Sequence, residues 1–147
     1  MTPVQASQLI EEYLSTNWTA TKIAYENVEP RDWTETGTPL LTKGETPFIK
    51  IYKQFPTSEP ITVSKSCRRY YGFLHVLVHV KESTGARVAE THATNLINLI
   101  EGKEILSGGE VFRFWDLVQE TRFWTDGGWF VIDLSFKFSF EKFTSPS

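Results

Sequence analysis

A chain of 147 residues is long enough for one domain with a hydrophobic core and too short to favour two. Hydrophobic residues make up 40% and charged residues 22%, which excludes a disordered chain, and the net charge of −3 argues against a protein that mainly grips nucleic acid phosphates. The single cysteine, Cys67, excludes an internal disulfide, a zinc ribbon and a redox pair, and fits folding in a reducing cytoplasm. No basic segment followed by an apolar run opens the chain, and no stretch approaches the roughly 18 apolar residues of a membrane span, so we expect neither export nor membrane insertion.

The first predicted element is a helix with a clear start signal. Thr2 is placed as its N-cap, Pro3 at its first position, and Gln5 completes a capping box three residues after the cap. The helix is expected to end near Asn17, before Trp18. Its apolar stripe, at three- and four-residue spacing, consists of Ala6, Leu9, Ile10, Tyr13 and Leu14.

A short strand and a long irregular loop are predicted next. Residues 22–28 favour a strand, whereas proline and glycine repeatedly break the pattern over residues 29–46. Trp33 and Leu40 are among the few large apolar residues of this loop, which otherwise carries more acidic than basic groups. A solvated surface loop and an arm that docks on a partner remain equally open interpretations. Only residues 144–147 resemble a frayed tail.

Two strands are predicted in the middle of the chain. Residues 47–55 form the first, which Pro56 and Pro60 are expected to interrupt, with a short edge piece at residues 61–64. Residues 67–80 form a longer strand with one apolar and one mixed face. The apolar face, formed by Leu74, Val76, Val78 and Val80, is expected to meet the helices.

A second helix and a final group of strands complete the chain. Residues 86–101 show an amphipathic pattern, with Gly102 placed as the C′ glycine. Strand candidates follow at residues 111–115 and 118–124, the latter forming a hairpin with the last strand, Trp129–Phe143. One face of that strand is almost entirely aromatic and aliphatic: Phe130, Ile132, Leu134, Phe136, Phe138 and Phe140. The element order predicts an α+β domain over residues 1–147, with two amphipathic helices on a mostly antiparallel sheet.

No residue pattern predicts catalysis, a cofactor or a metal ion. His75 and His79 share a strand face, but residues four apart on a strand lie roughly 13 Å apart, too far to hold one ion. His92, on the apolar stripe of a helix, is most simply a histidine at the edge of the core. Cys67 lies beside two arginines that could lower its pKa, yet a structural thiol is the better interpretation. We therefore predict a protein that is not an enzyme.

Candidate contact residues come from one basic and one aromatic group. Arg68 and Arg69, with Lys65 and possibly Lys53, form either a patch for an acidic neighbour or DNA, or a solvated strand end. Aromatic residues make up an unusually high 14% of the chain, which fits a dense core or a protein–protein contact, and part of them is expected at a subunit contact. The predicted contact residues are Trp33, Leu40, Arg68, Arg69, Phe112, Phe114, Trp115, Trp124 and Trp129.

Several segments, in order along nearly the whole chain, resemble small phage tail proteins. They are QLI at residues 8–10, WTATKIAYENV at 18–28, PFIKI at 47–51, the strand entry at 69–72, and DGGWF at 126–130. The chain is similar to the tail terminator family of long-tailed bacteriophages and to related phage proteins of unknown function.

The resemblance implies a structural virion protein of the tail or neck, made in the host cytoplasm. Subunits would close into a homohexameric ring that stops the tail tube and meets the head–tail connector protein. DNA would pass through the lumen without sequence-specific binding, and a negative net charge suits such a wall. The alternatives are another neck or tail-completion protein, or a small module that binds ligands on its aromatic strands.

Overall fold

One layer of helices packs on one layer of sheet in the computed structural model, which describes residues 1–25, 47–60, 67–81, 84–125 and 127–143. Within these residues the chain forms two helices and six strands. Their order is α1 (Pro3–Asn17), β1 (Lys22–Ala24), β2 (Phe48–Pro60), β3 (Cys67–Lys81), α2 (Ala86–Ile100), β4 (Glu104–Ser107), β5 (Glu110–Trp124) and β6 (Trp129–Phe143). No helix in the described part of the chain is long and apolar enough to cross a membrane.

The strands form a single sheet in the order β1-β2-β3-β6-β5-β4. Every neighbouring pair is antiparallel except β1 and β2, which run parallel from Lys22 opposite Phe48 to Ala24 opposite Lys50. The predicted α+β class is confirmed, and the sheet is mixed rather than wholly antiparallel. A parallel neighbour needs a long connection, and residues 25–47 supply it.

Both helices begin or end where the sequence signals place them. Thr2 Oγ1 accepts from the backbone N–H of Gln5, and Gln5 Oε1 accepts from the backbone N–H of Thr2, so the capping box is confirmed. Helix α2 stops at Ile100, and Gly102 adopts a φ of 74°, the left-handed conformation that ends many helices.

Two strands are longer than the sequence predicts. β2 does not stop before Pro56 but continues to Pro60, with a shift of register against β3 between Gln54 and Thr57. β5 is one strand rather than two, with register shifts against β6 between Phe114 and Gln119. The expected interruption of β2 at Pro56 and the expected division of β5 were both wrong. In each case a β-bulge lets the strand continue beyond residues that break its regular pattern.

The predicted strand over residues 22–28 is confirmed from Lys22 to Ala24, and residues 26–28 lie outside the described part. The irregular loop at 29–46, the edge piece at 61–64 and the tail at 144–147 also lie outside it.

The core lies between the helices and one face of the sheet. All six residues of the predicted apolar face of β6 are buried, and so are the four of β3 that lie beside them in the ladder. The helices contribute the other side of this core, with Ala6, Ile10 and Leu14 from α1 and Ala89, Ala93, Leu96 and Ile100 from α2. At about 25 cal/mol per Å², each large side chain buried here contributes roughly 1.5 to 3 kcal/mol to folding.

Candidate subunit-contact surface

The side of the sheet that faces away from α1 and α2 is called here the open face. It is built from alternate residues of the central strands, because successive strand residues point to opposite sides. On β6 these are Trp129, Val131, Asp133, Ser135, Lys137, Ser139 and Glu141, with their ladder partners on β3 and β5. Most of its residues on β3 are partly buried, so this face offers both contact area and polar groups.

A histidine network occupies the middle of the open face. His75 stacks on Tyr52 with ring centroids 4.3 Å apart, and its Nε2 lies 3.0 Å from Oε1 of Gln54. Its Nδ1 lies 3.0 Å from Oγ of Ser135 and 3.4 Å from Oδ1 of Asp133. A nucleophile relay needs serine and aspartate on opposite ring nitrogens, but here both approach Nδ1. The arrangement therefore holds the imidazole in place and does not activate the serine.

One end of the open face is a buried aromatic cluster. His79 stacks on Phe48 with ring centroids 4.5 Å apart, and Trp129 meets the Phe48 ring edge-on at 5.1 Å. Nδ1 of His79 lies 3.1 Å from the carbonyl oxygen of Leu77, to which a protonated Nδ1 donates. Burial lowers the pKa of His79 to about 4, so the ring is neutral at physiological pH.

The opposite end of the open face carries paired charges. The Arg69 guanidinium donates to the Glu141 carboxylate at 2.7 Å, and Arg113 donates to Glu104. Arg113 also lies over the ring of Trp115, 5.0 Å from the ring centroid. Because both arginines have carboxylate partners within the subunit, they form a mixed charged surface rather than a basic patch.

The predicted basic group is divided between different parts of the fold. Arg68 and Arg69 are consecutive strand residues and so point to opposite sides of the sheet. Lys53 reaches helix α1 instead, where its ammonium donates to Glu11 at 2.8 Å and to Ser7 at 2.7 Å. Lys65 lies outside the described residues.

The predicted aromatic contacts fall into three groups. Trp33 and Leu40 lie outside the described residues. Phe112, Phe114 and Trp129 are completely buried within the subunit, so they support its own packing. Trp115 and Trp124 are 39% and 59% exposed, which leaves them as the aromatic candidates for a contact with another chain.

Both exposed tryptophans belong to β5, which also carries apolar residues that sequence reasoning did not select. Val118 is 58% exposed and Val111 is 42% exposed, while Leu106 on β4 is 75% exposed. Val118 was not predicted as a contact residue because the register shifts around Leu117 interrupt the two-residue period. Without that period the sequence does not show which face of the sheet Val118 lies on. Phe123, on the same strand, is 39% exposed.

The structure gives Cys67 no reactive environment. Burial raises the pKa of its thiol, the Glu141 carboxylate raises it further, and the opposing effect of Arg69 is smaller. Arg69 does lower this pKa, as expected of a neighbouring arginine, but burial and Glu141 outweigh it and the net shift is upward. Among the described residues no group of three or more histidine, cysteine, aspartate or glutamate side chains is placed to share a metal ion.

Comparisons with known proteins cover nearly the whole chain. The sequence model of the family described as phage tail terminator protein matches residues 5–138. A solved structure is similar over 99% of this chain and 99% of its own, with a TM-score of 0.66 and 18% sequence identity, which shows a shared fold. No curated protein sequence matches the chain.

Proposed function

Because the chain belongs to the phage tail terminator family, whose members are structural proteins of phage tails, we propose that it forms the ring that ends the tail tube. The ring contains six copies, caps the tube and meets the head–tail connector protein. Subunits accumulate in the host cytoplasm and then remain in the virion tail, where DNA passes through the lumen. The family match over residues 5–138 carries this proposal.

The physical surface of the subunit supports a ring. A closed ring needs heterologous contacts, in which two different patches of the same subunit meet. Four exposed apolar side chains lie on β5, near one edge of the sheet: Trp115, Val118, Phe123 and Trp124. Such a concentration is unusual on the surface of a permanent monomer and typical of the centre of an interface.

The test measures mass and tube length together. Light scattering behind gel filtration is recorded for the protein alone and after incubation with purified tail tubes, and electron microscopy records tube lengths. We expect a particle of about 101 kDa, six times the 16.9 kDa of one chain, or a monomer that becomes hexameric on tubes. Tubes assembled with the protein stop at a uniform length.

Two variants with a comparable new charge supply the control. Trp124→Glu places a carboxylate on β5, whereas Val4→Glu places one on α1, where Val4 is 67% exposed. Ring formation is expected to fail in the first and to persist in the second. A monomer that binds oligonucleotides and ignores tubes would exclude the terminator role and favour a binding module instead. A hexamer that binds the connector but leaves tube length unchanged would favour another neck protein.

A further inference from the structure

The outer edge of β5 is open over the second half of the strand. β4 pairs with β5 only from Glu110 to Arg113, and the backbone N–H of Phe114 donates to the carbonyl oxygen of Lys103. The N–H of Leu117 donates to the Glu101 carboxylate. Each of residues 118–124 is exposed, and within the described part of the chain no strand pairs with the outer edge of this stretch. We call residues 118–124 the β5 edge.

The direction of the backbone groups on the β5 edge follows from the hairpin. The N–H of Thr125 donates to the carbonyl oxygen of Trp129, which makes these two residues a hydrogen-bonded pair. The β5–β6 register runs without a shift from Gln119 to Trp124. Because inward and outward bonding alternates along an antiparallel strand, the N–H and C=O groups of Glu120, Arg122 and Trp124 point away from β6.

The β5 edge carries only part of the usual protection against strand pairing, in the charged residues Glu120 and Arg122. Natural edge strands commonly carry proline or lysine, or are very short. Residues 114–124 contain neither proline nor lysine, and they bear Trp115, Val118, Phe123 and Trp124 in exposed positions. Such an edge is an aggregation hazard for a lone subunit unless a specific strand covers it.

A matching edge exists on the other side of the same sheet. β1 pairs with β2 only from Phe48 to Lys50, and within the described residues no strand pairs with β2 from Ile51 onward on that side. Gln54 and Phe55 are exposed there. β2 runs in the direction of β6 and therefore opposite to β5, so β2 of a second copy would extend the sheet as an antiparallel neighbour of the β5 edge.

We propose that the β5 edge of one subunit pairs in antiparallel fashion with the outer edge of β2 of the next copy, from Ile51 onward. The inference rests on the proposed ring and names its subunit contact. The backbone pairing supplies the direction of the contact, and the exposed tryptophans supply apolar area around it.

The positions of the two open edges impose a stagger between neighbouring copies. Trp124 pairs with Phe130 of β6, which pairs with Val80 of β3. On β2, Phe48 pairs with His79, so Trp124 lies at the height of the residue just before Phe48. Placing Ile51 of the next copy beside Trp124 shifts that copy by about four residues, or roughly 13 Å, along the strands. A closed sheet has tilted strands and a constant stagger, and the ring closes when the rotation from each copy to the next also closes.

The experiment removes one outward donor from the β5 edge. Glu120→Pro deletes the outward N–H of residue 120 and leaves the bonds to β6 in place, because residue 120 is not hydrogen-bonded to Leu134 opposite it. Glu120→Ala is the matched control, since both variants lose the weak contact with Arg122 at 3.3 Å. We expect Glu120→Pro to raise the subunit concentration needed for half-assembly by at least about tenfold, while Glu120→Ala assembles like the original protein.

Hydrogen exchange of the unmodified protein provides an independent measurement. On assembly, the amides of Glu120, Arg122 and Trp124 should gain protection, and so should the amides among residues 51–55 that point away from β3. A ring formed equally well by Glu120→Pro, or a ring in which either edge stays unprotected, would overturn the strand-pairing contact but leave the ring itself intact. Failure of the unmodified protein to form any ring, alone or on tubes, would instead overturn the proposed function.

Discussion

Gly72 of β3 lies directly beneath the ring of Phe138, its ladder partner on β6. A methyl group at residue 72 would clash with this ring and with the backbone carbonyl oxygen of Gln54, which lies where β2 shifts its register. The absence of a side chain at Gly72 therefore lets three strands and an aromatic core residue meet at one point.

Gly72→Ala is expected to lower the free energy of unfolding by about 2 kcal/mol or more, because the added Cβ overpacks a site bounded by backbone. Urea unfolding followed by tryptophan fluorescence measures the change. Gly127→Ala is the matched control, since its nearest neighbour, Cδ1 of Trp129, lies at an ordinary 3.5 Å. The control should change stability by less than about 0.5 kcal/mol. Equal effects of the two substitutions would contradict the close-approach explanation.

His79 makes stability depend on pH. The unfolded chain takes up a proton on this imidazole near pH 6.5, whereas burial keeps the folded ring neutral down to about pH 4. Stability should therefore fall as the pH drops from about 6.5 to about 4, by up to about 3 kcal/mol, and this contribution then stays constant.

The measurement is the free energy of unfolding of the original protein and of His79→Gln at several pH values in this range. The variant loses the His79 contribution but retains His92, whose pKa is also lowered by burial. The difference between the two curves isolates His79. Parallel curves would show that the ring is protonated equally in both states.

The ion pair between Lys53 and Glu11 ties β2 to α1. The Lys53 side chain is only 5% exposed, while that of Glu11 is 40% exposed. Glu11→Gln removes one carboxylate partner of a buried ammonium and should cost about 1 to 2 kcal/mol, less than for a fully buried pair. Glu12→Gln, on the exposed side of the same helix, is the matched control and should be nearly neutral. A costlier Glu12→Gln in urea unfolding would contradict this account.

Cys67 should resist thiol reagents while the protein is folded. Its side chain is buried and its thiol pKa is raised, so both access and thiolate content are low. We expect reaction with an aromatic disulfide reagent at pH 8 to be at least about 100-fold slower in the folded protein than in urea. Rapid reaction of the folded protein would show that the strand entry at Cys67 opens readily.

The sequence predicted elements that depend on local signals. The two-residue period of β6 and the capping box at Thr2 and Gln5 both act within a few residues, so they were read correctly. The passage of β2 through Pro56 and the continuity of β5 past Leu117 depend on bulges against neighbouring strands. A bulge is determined by the partner strand, which the local pattern does not contain.

The same distinction applies to the contact surface. The aromatic excess in the composition predicted that some aromatic residues lie at a contact, but not which ones. The structure shows that Phe112 and Phe114 are buried in the core, whereas Trp115 and Trp124 are exposed. The β5 edge itself is a property of sheet order, since it exists only because β4 is too short to cover β5.

The last strand of the described chain lies in the interior of the sheet, between β3 and β5. During synthesis, the pairing of β3 with β6 can form only after residues 129–143 have left the ribosome. A product that terminates early lacks the strand that joins the two halves of the sheet. Only a chain completed through β6 can therefore present both outer edges on one sheet.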